Sequence, residues 1–154
     1  MLKIYLGSDH GGYRLKEEIK KYLKKQDKLN IEDLGTYSEE SCDYPDYACK
    51  VACKVVEKPN SLGILLCGTG IGMVISANKI KGVRAALVYD EFTAKMSKEH
   101  NDANIIAIGG RTTSRVKAIK IINTWLNSSF QGQRHKRRLN KIKSIEKGTY
   151  CKTS

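Results

Sequence analysis

No stretch of this chain approaches the ~20 consecutive apolar residues that a membrane-spanning helix needs. Its start, MLKIYLGSDH, lacks the basic-then-apolar layout of a secretion signal. A cytoplasmic protein with no membrane partner is therefore expected. Paired cysteines are also missing. The five, Cys42, Cys49, Cys53, Cys67 and Cys151, are odd in number and form no CxxC, which argues against a disulfide framework. Cys49 and Cys53 have helical spacing, but no further His or Cys stands near them at zinc spacing. Packing, not metal binding, is expected there.

Acid is scarce in one region only. From Arg111 to Ser154 there are 12 Lys and Arg residues against a single acid, Glu146, whereas the preceding 110 residues hold 16 basic and 15 acidic ones. The formal charge of +12 thus belongs to the C-terminal quarter. Three readings fit such a tail: nucleic-acid binding, a solvated lysine face, or a small site for an anionic substrate. The length of 154 residues suits one domain, a core over 1–127 followed by a basic tail over 128–154.

Within the core, strand-like and helix-like segments alternate. Short apolar runs at 3–9, 31–35, 62–67, 83–89 and 104–110 read as strands. Helices are expected at 12–25, 46–58, 72–80, 90–99 and 114–127. Pro45 suits the start of the second helix. Val116, Ile119, Ile122 and Leu126 mark a stripe on the last. The first part of the tail reads as a basic helix, and its last six residues as frayed. Five strands separated by helices predict a three-layer αβα, Rossmann-like fold with a parallel five-stranded sheet. In such sheets ligands bind outside the carboxyl ends of the strands. Two of those ends are rich in chemistry, SDHGG (8–12) and CGTGIG (67–72).

The second of these places three glycines between a strand and a helix N-terminus, where exposed backbone N–H groups favour an anion. It lacks the Lys-Ser/Thr pair of a phosphate-binding P-loop and the GxGxxG spacing of a dinucleotide site. Cys67 stands directly before the turn. A helix N-terminus favours thiolate over thiol, and a thiolate acts as nucleophile or as general base toward carbon. The same position also suits an inert, buried cysteine, and sequence position leaves both readings open.

Taken in order, SDHGG with LK shortly after, DLGTYSEESCDYPDYA, CGTGIGMVISANKIKGVRAAL, EHNDANIIAIGGR and GQRHKRR resemble the B-type ribose-5-phosphate isomerases. These lie in the sugar-phosphate isomerase family that also holds galactose-6-phosphate isomerase subunits. The resemblance covers about residues 3–142. It implies interconversion of ribose 5-phosphate and ribulose 5-phosphate with no metal and no cofactor.

It further implies that Cys67 is the base that moves a proton between C2 and C1 through an enediolate. Thr69 and the turn of Gly68, Gly70, Ile71 and Gly72 would surround the oxygens. Some relatives carry a glutamate farther along this segment, but here GMVIS contains no acid. By the same resemblance His100 opens the sugar ring, with Asn101 beside it, and Asp9 and Tyr44 position the sugar. His10, Arg111, Arg134 and Arg138 bind the phosphate, for which arginine forks are suited. Arg134 and Arg138 share a face if their segment is helical. Gln133 stands where relatives commonly have glycine.

Parallel topology adds a consequence. The helix after the fourth strand starts near Asp90 at the carboxyl edge and ends near His100, roughly 15 Å away. His100 is then remote from Cys67 of its own chain. A homodimer with shared sites is expected, with pairing into tetramers left open. The competing readings are an isomerase of a six-carbon sugar phosphate, such as allose 6-phosphate or galactose 6-phosphate, and a noncatalytic module binding a phosphosugar or nucleic acid.

Overall fold

A computed structural model describes residues 1–151; 152–154, half of the segment expected to fray, lie outside the described residues. The strands are β1 (Leu2–Ser8), β2 (Leu29–Asp33), β3 (Leu62–Cys67), β4 (Ala85–Leu87) and β5 (Ile105–Gly109). The helices are α1 (Tyr13–Leu23), α2 (Tyr44–Glu57), α3 (Ile71–Ala77), α4 (Glu91–Glu99), α5 (Arg115–Leu126) and α6 (Arg134–Glu146). All strands are parallel, in the order β2-β1-β3-β5-β4. The chain is the three-layer αβα protein that its alternating pattern predicts.

Period-two alternation along the strands sorts side chains between the two faces. Ile4, Leu6, Ile64, Leu66, Ile106 and Ile108 share one core with α1, α4 and α5. Tyr5, Leu65, Cys67, Ile105 and Ala107 share the other with α2 and α3. Cys67 is thus the last inward residue of a buried strand, on the side that α3 covers. After β1 the chain steps outward to β2, then returns to the other side of β1 to form β3. That reversal makes the β1/β3 boundary a topological switch point, where an open sheet leaves a crevice at its carboxyl edge.

Three expectations need correction. The buried stripe of α5 is Ala118, Ile121, Ile122 and Trp125, while Val116 is 63% exposed. Of the expected residues Ile122 is fully buried and Leu126 packs against the same core, but the fully buried Trp125 turns the face away from Val116. The fourth strand is only three residues long, since its ladder with β5, the one neighbour it has at the sheet edge, covers Ala85–Leu87 alone. Helix α2 begins at Tyr44, with Pro45 inside its first turn, where the missing N–H removes no helical bond.

Lys16 follows SDHGG on α1 and explains the LK of that motif. It is fully buried, and its Nζ donates to both carboxylate oxygens of Asp33 at 2.7 Å. Lys20 donates to the same carboxylate at 2.6 Å. The Gly35 N–H also donates to Asp33 Oδ1, and the Tyr37 hydroxyl to the Asp33 carbonyl. This network ties α1 to the end of β2 and to the start of the loop leading to Tyr44.

Candidate active site

At the switch point, Asp9 leaves β1 with its N–H on the Leu66 carbonyl at 3.1 Å. Its side chain accepts from the Gly12 N–H at 3.1 Å, a short-range bond that closes the SDHGG turn. His10 accepts the Cys42 N–H on Nδ1 at 3.2 Å, so the loop before α2 is fixed to the same edge. Gly110 donates to the Cys67 carbonyl at 2.6 Å, and Arg111 to the Gly68 carbonyl at 3.0 Å. Arg111 therefore lies over the glycine turn. With His10, Gly11, Arg14, Leu15, Glu39 and Gly110 it lines a cavity of about 360 Å³.

The turn itself is ordered around the sulfur. Cys67 is 5% exposed, and its Sγ accepts the Gly70 N–H at 3.1 Å. Gly70 is the N-cap of α3 at φ 81°, a left-handed conformation that favours glycine. Thr69 Oγ1 accepts the Ile71 N–H at 3.4 Å. Tyr44 packs across the start of α3: a Cβ on Gly72 would lie 2.7 Å from its ring. The structure thus brings together Asp9, His10, Tyr44, Cys67, Gly68, Thr69, Gly70, Ile71, Gly72 and Arg111.

It does not bring His100, Asn101, Arg134 or Arg138 to that edge. His100 caps the C-terminus of α4. The following turn runs into Asn104, whose carbonyl accepts the N–H of Gly63. Gly63 lies four residues before Cys67 on β3, a rise of roughly 13 Å. Arg134 starts α6, whose entry is bound to the end of α4: Gln131 donates its N–H to the Glu99 carbonyl and its side-chain amide to the Glu99 carboxylate, both at 3.0 Å. The chain carries two chemically rich clusters at opposite edges of one sheet.

His135 belongs to the second cluster, although sequence reading passed over it between the two arginines. Its ring stacks on His100 with centroids 4.2 Å apart. It is 4% exposed, and its Nε2 has no hydrogen-bond partner. Burial, then the positive charges of neighbouring His100, Arg134 and Arg138, hold this imidazole below its ordinary pKa. The signal was its spacing from Leu139, which is also buried: residues four apart share the inward face of a helix. Among the described residues, no group of three or more His, Cys, Asp or Glu is arranged to hold a metal ion, and no helix is long and apolar enough to cross a membrane.

Together the sheet and its switch-point crevice define an open-sheet α/β protein whose candidate ligand site adjoins a glycine turn and a cationic rim. Residues 4–142 match the ribose/galactose isomerase family, and the chain belongs to it. The sequence is 41% identical to ribose-5-phosphate isomerase B of Escherichia coli over 146 residues, covering 95% of this chain and 97% of that one. The structure superposes on Clostridium thermocellum ribose-5-phosphate isomerase B with a TM-score of 0.93 and 50% identity, covering 96% of this chain and 99% of the other. For the Mycoplasma genitalium ribose-5-phosphate isomerase B with bound ribulose-5-phosphate, the TM-score is 0.90 and the identity 42%, with 95% and 97% covered.

Proposed function

We propose that this protein interconverts ribose 5-phosphate and ribulose 5-phosphate, with Cys67 as the proton-transferring base. The observation that carries this reading is the Gly70 N–H on Cys67 Sγ at 3.1 Å, at the switch point of the sheet. The contact fixes the sulfur beside the N-terminus of α3, where developing negative charge is stabilised. In the aldose-to-ketose direction, His100 moves a proton from the anomeric hydroxyl to the ring oxygen as the ring opens. Cys67 then removes the C2 proton, and the electron pair forms the C1–C2 double bond of an enediolate. The C2 hydroxyl proton passes to the C1 oxygen, Cys67 returns its proton to C1, and collapse of the C2 oxygen to a carbonyl gives the ketose. Thr69 and the N–H groups of the turn hold the oxygens. Asp9, Tyr44 and Asn101 orient the sugar, and His10, Arg111, Arg134 and Arg138 bind the phosphate.

The same reading requires two chains. His100 and the tail arginines come from one subunit, and Cys67, Asp9 and Tyr44 from its partner, in a homodimer. Exposed apolar residues support this assembly. Ile71 and Ile75 on α3, and Leu87, Tyr89 and Phe92 around the start of α4, are 37–69% exposed, and Leu87 lies against Gly70 of the site turn. Such residues beside a catalytic crevice suit burial by a second copy.

The direct test follows ketose formation from ribose 5-phosphate by absorbance, with Cys67→Ser beside the wild type. The wild type is expected to be active, and the variant to lose roughly 10²–10⁴-fold in kcat, the usual contribution of a general base. An inactive wild type or an unimpaired Cys67→Ser would overturn the reading.

A further inference from the structure

Arg84 lies outside the groups assigned above, yet it makes the densest set of polar contacts around the His100 turn. Its Nε donates to the carbonyls of Asn101 at 3.0 Å and Asp102 at 3.1 Å. One terminal nitrogen donates to the Asp102 carbonyl at 2.8 Å and to its carboxylate at 3.0 Å. The backbone of Arg84 is fixed as well, because its N–H donates to the side-chain oxygen of Asn104 at 2.8 Å. The Asn104 amide in turn donates to the Gly82 carbonyl at 2.9 Å. The Gly82 N–H also donates to the carboxylate of Glu146, the last residue of α6, at 2.8 Å. A single chain of contacts thus joins the His100 turn to the far end of the helix that carries Arg134 and Arg138.

The turn needs such support. Asp102 has a φ of 44°, a left-handed conformation that a non-glycine residue holds only when its surroundings fix it. Helical bonding ends there, with the Asp102 N–H on the Lys98 carbonyl at 3.0 Å. Two carbonyls and one carboxylate oxygen then converge on one guanidinium. Lys98 takes the other carboxylate oxygen at 3.0 Å. A planar fork meets three acceptors at once, which an ammonium on a flexible stem does not reproduce.

We propose that Arg84 is a positioning residue: it clamps the Asn101–Asp102 turn and so sets where His100 and Asn101 are presented for ring opening. This rests on the reading that His100 acts in the reaction. Arg84 itself touches neither substrate nor the reacting atoms. Its loss displaces the presented pair, and a displacement of about 1 Å in a reacting group costs on the order of 10²-fold in rate.

Four variants test the assignment: Arg84→Lys, Arg84→Ala, Lys98→Met and His100→Ala, each assayed on ribose 5-phosphate as the full chain. Arg84→Lys is expected to lose roughly 10–100-fold in kcat with KM changed by less than about threefold, since phosphate contacts are untouched. Arg84→Ala should recover part of its kcat when guanidinium is added and none when ammonium is added at equal ionic strength. Lys98→Met, which leaves the fork in place, should stay within about threefold of wild type. Wild-type kcat in folded Arg84→Lys, or a loss in Arg84→Ala that guanidinium does not restore, would overturn the clamp. An active His100→Ala would instead defeat the reading of His100. NMR still decides Arg84 in that case: a shifted His100 ring and faster amide exchange at 100–103 in Arg84→Lys support the clamp, and unchanged signals refute it.

Discussion

His135 stacks on His100 with ring planes 11° from parallel and centroids 4.2 Å apart. The outer ring of this pair is the group proposed to open the sugar. The inner one is on the buried face of α6 and carries no partner on Nε2. Burial, the facing His100 and the adjacent Arg134 and Arg138 all disfavour a proton on His135, so its folded pKa lies below the ordinary 6.5. The unfolded chain therefore binds a proton first as pH falls through 6.5. Stability should be full above that value and decline below it until the folded pKa is passed. Melting temperatures between pH 7.5 and 5 should show this slope, and His135→Phe should flatten it.

Asp33 makes a second, more acidic transition. Burial raises its pKa, but the hydrogen bonds from Lys16, Lys20 and Gly35 outweigh burial and hold the carboxyl below its usual 3.8. Its contribution is then present above pH 3.8 and is lost as pH falls through the depressed value. Asp33→Asn leaves the buried Lys16 ammonium with Glu17, at 3.2 Å, as its one remaining counter-charge, which costs about 2 kcal/mol at neutral pH. Urea unfolding at pH 7 and pH 3.5 should show the gap between variant and wild type narrowing in acid.

Gly72→Ala separates binding from folding. The new Cβ would meet the Tyr44 ring at 2.7 Å, so the ring must move. Alanine is also the better helix former, by about 1 kcal/mol. Steady-state kinetics should show KM rising severalfold, while the melting temperature stays within a few degrees of wild type.

Gln133 is the N-cap of α6 at φ 48°, ψ −122°, a region that side chains avoid and glycine tolerates. Gln133→Gly should raise stability by about 1 kcal/mol, the relief of local strain less the entropy of a freer unfolded chain. Denaturant unfolding with an unchanged m-value measures it.

Much of this was legible in sequence because two periods carried it. Alternation by two in KIYLGSD and LGILLC marked strands, and spacing by three and four marked α1. The carboxyl-edge residues followed from topology, and so did the remoteness of His100 from Cys67. Strand order was not legible, since nothing local says that β5 inserts between β3 and β4. The face of α5 was legible only in part: Ile122 lies on it, but the buried Trp125 turns it away from Val116. His135 and Arg84 stayed hidden for a related reason. Each is an ordinary residue in its own segment and gains its place only when distant turns meet: α6 on the end of α4 for His135, and 82–84 on 101–104 for Arg84.

The division of the site between two chains is tested most directly by mixing inactive Cys67→Ala and His100→Ala proteins under conditions of proven subunit exchange. A hybrid dimer would pair Cys67 of one chain with His100 of the other, leaving one intact site of two. Equal mixing should then restore roughly a quarter of wild-type activity, since about half of randomly assorted dimers are hybrids. A mixture of Cys67→Ala with the double variant should restore none. Absence of recovery in the first mixture, with hybrids demonstrated, would contradict the shared site.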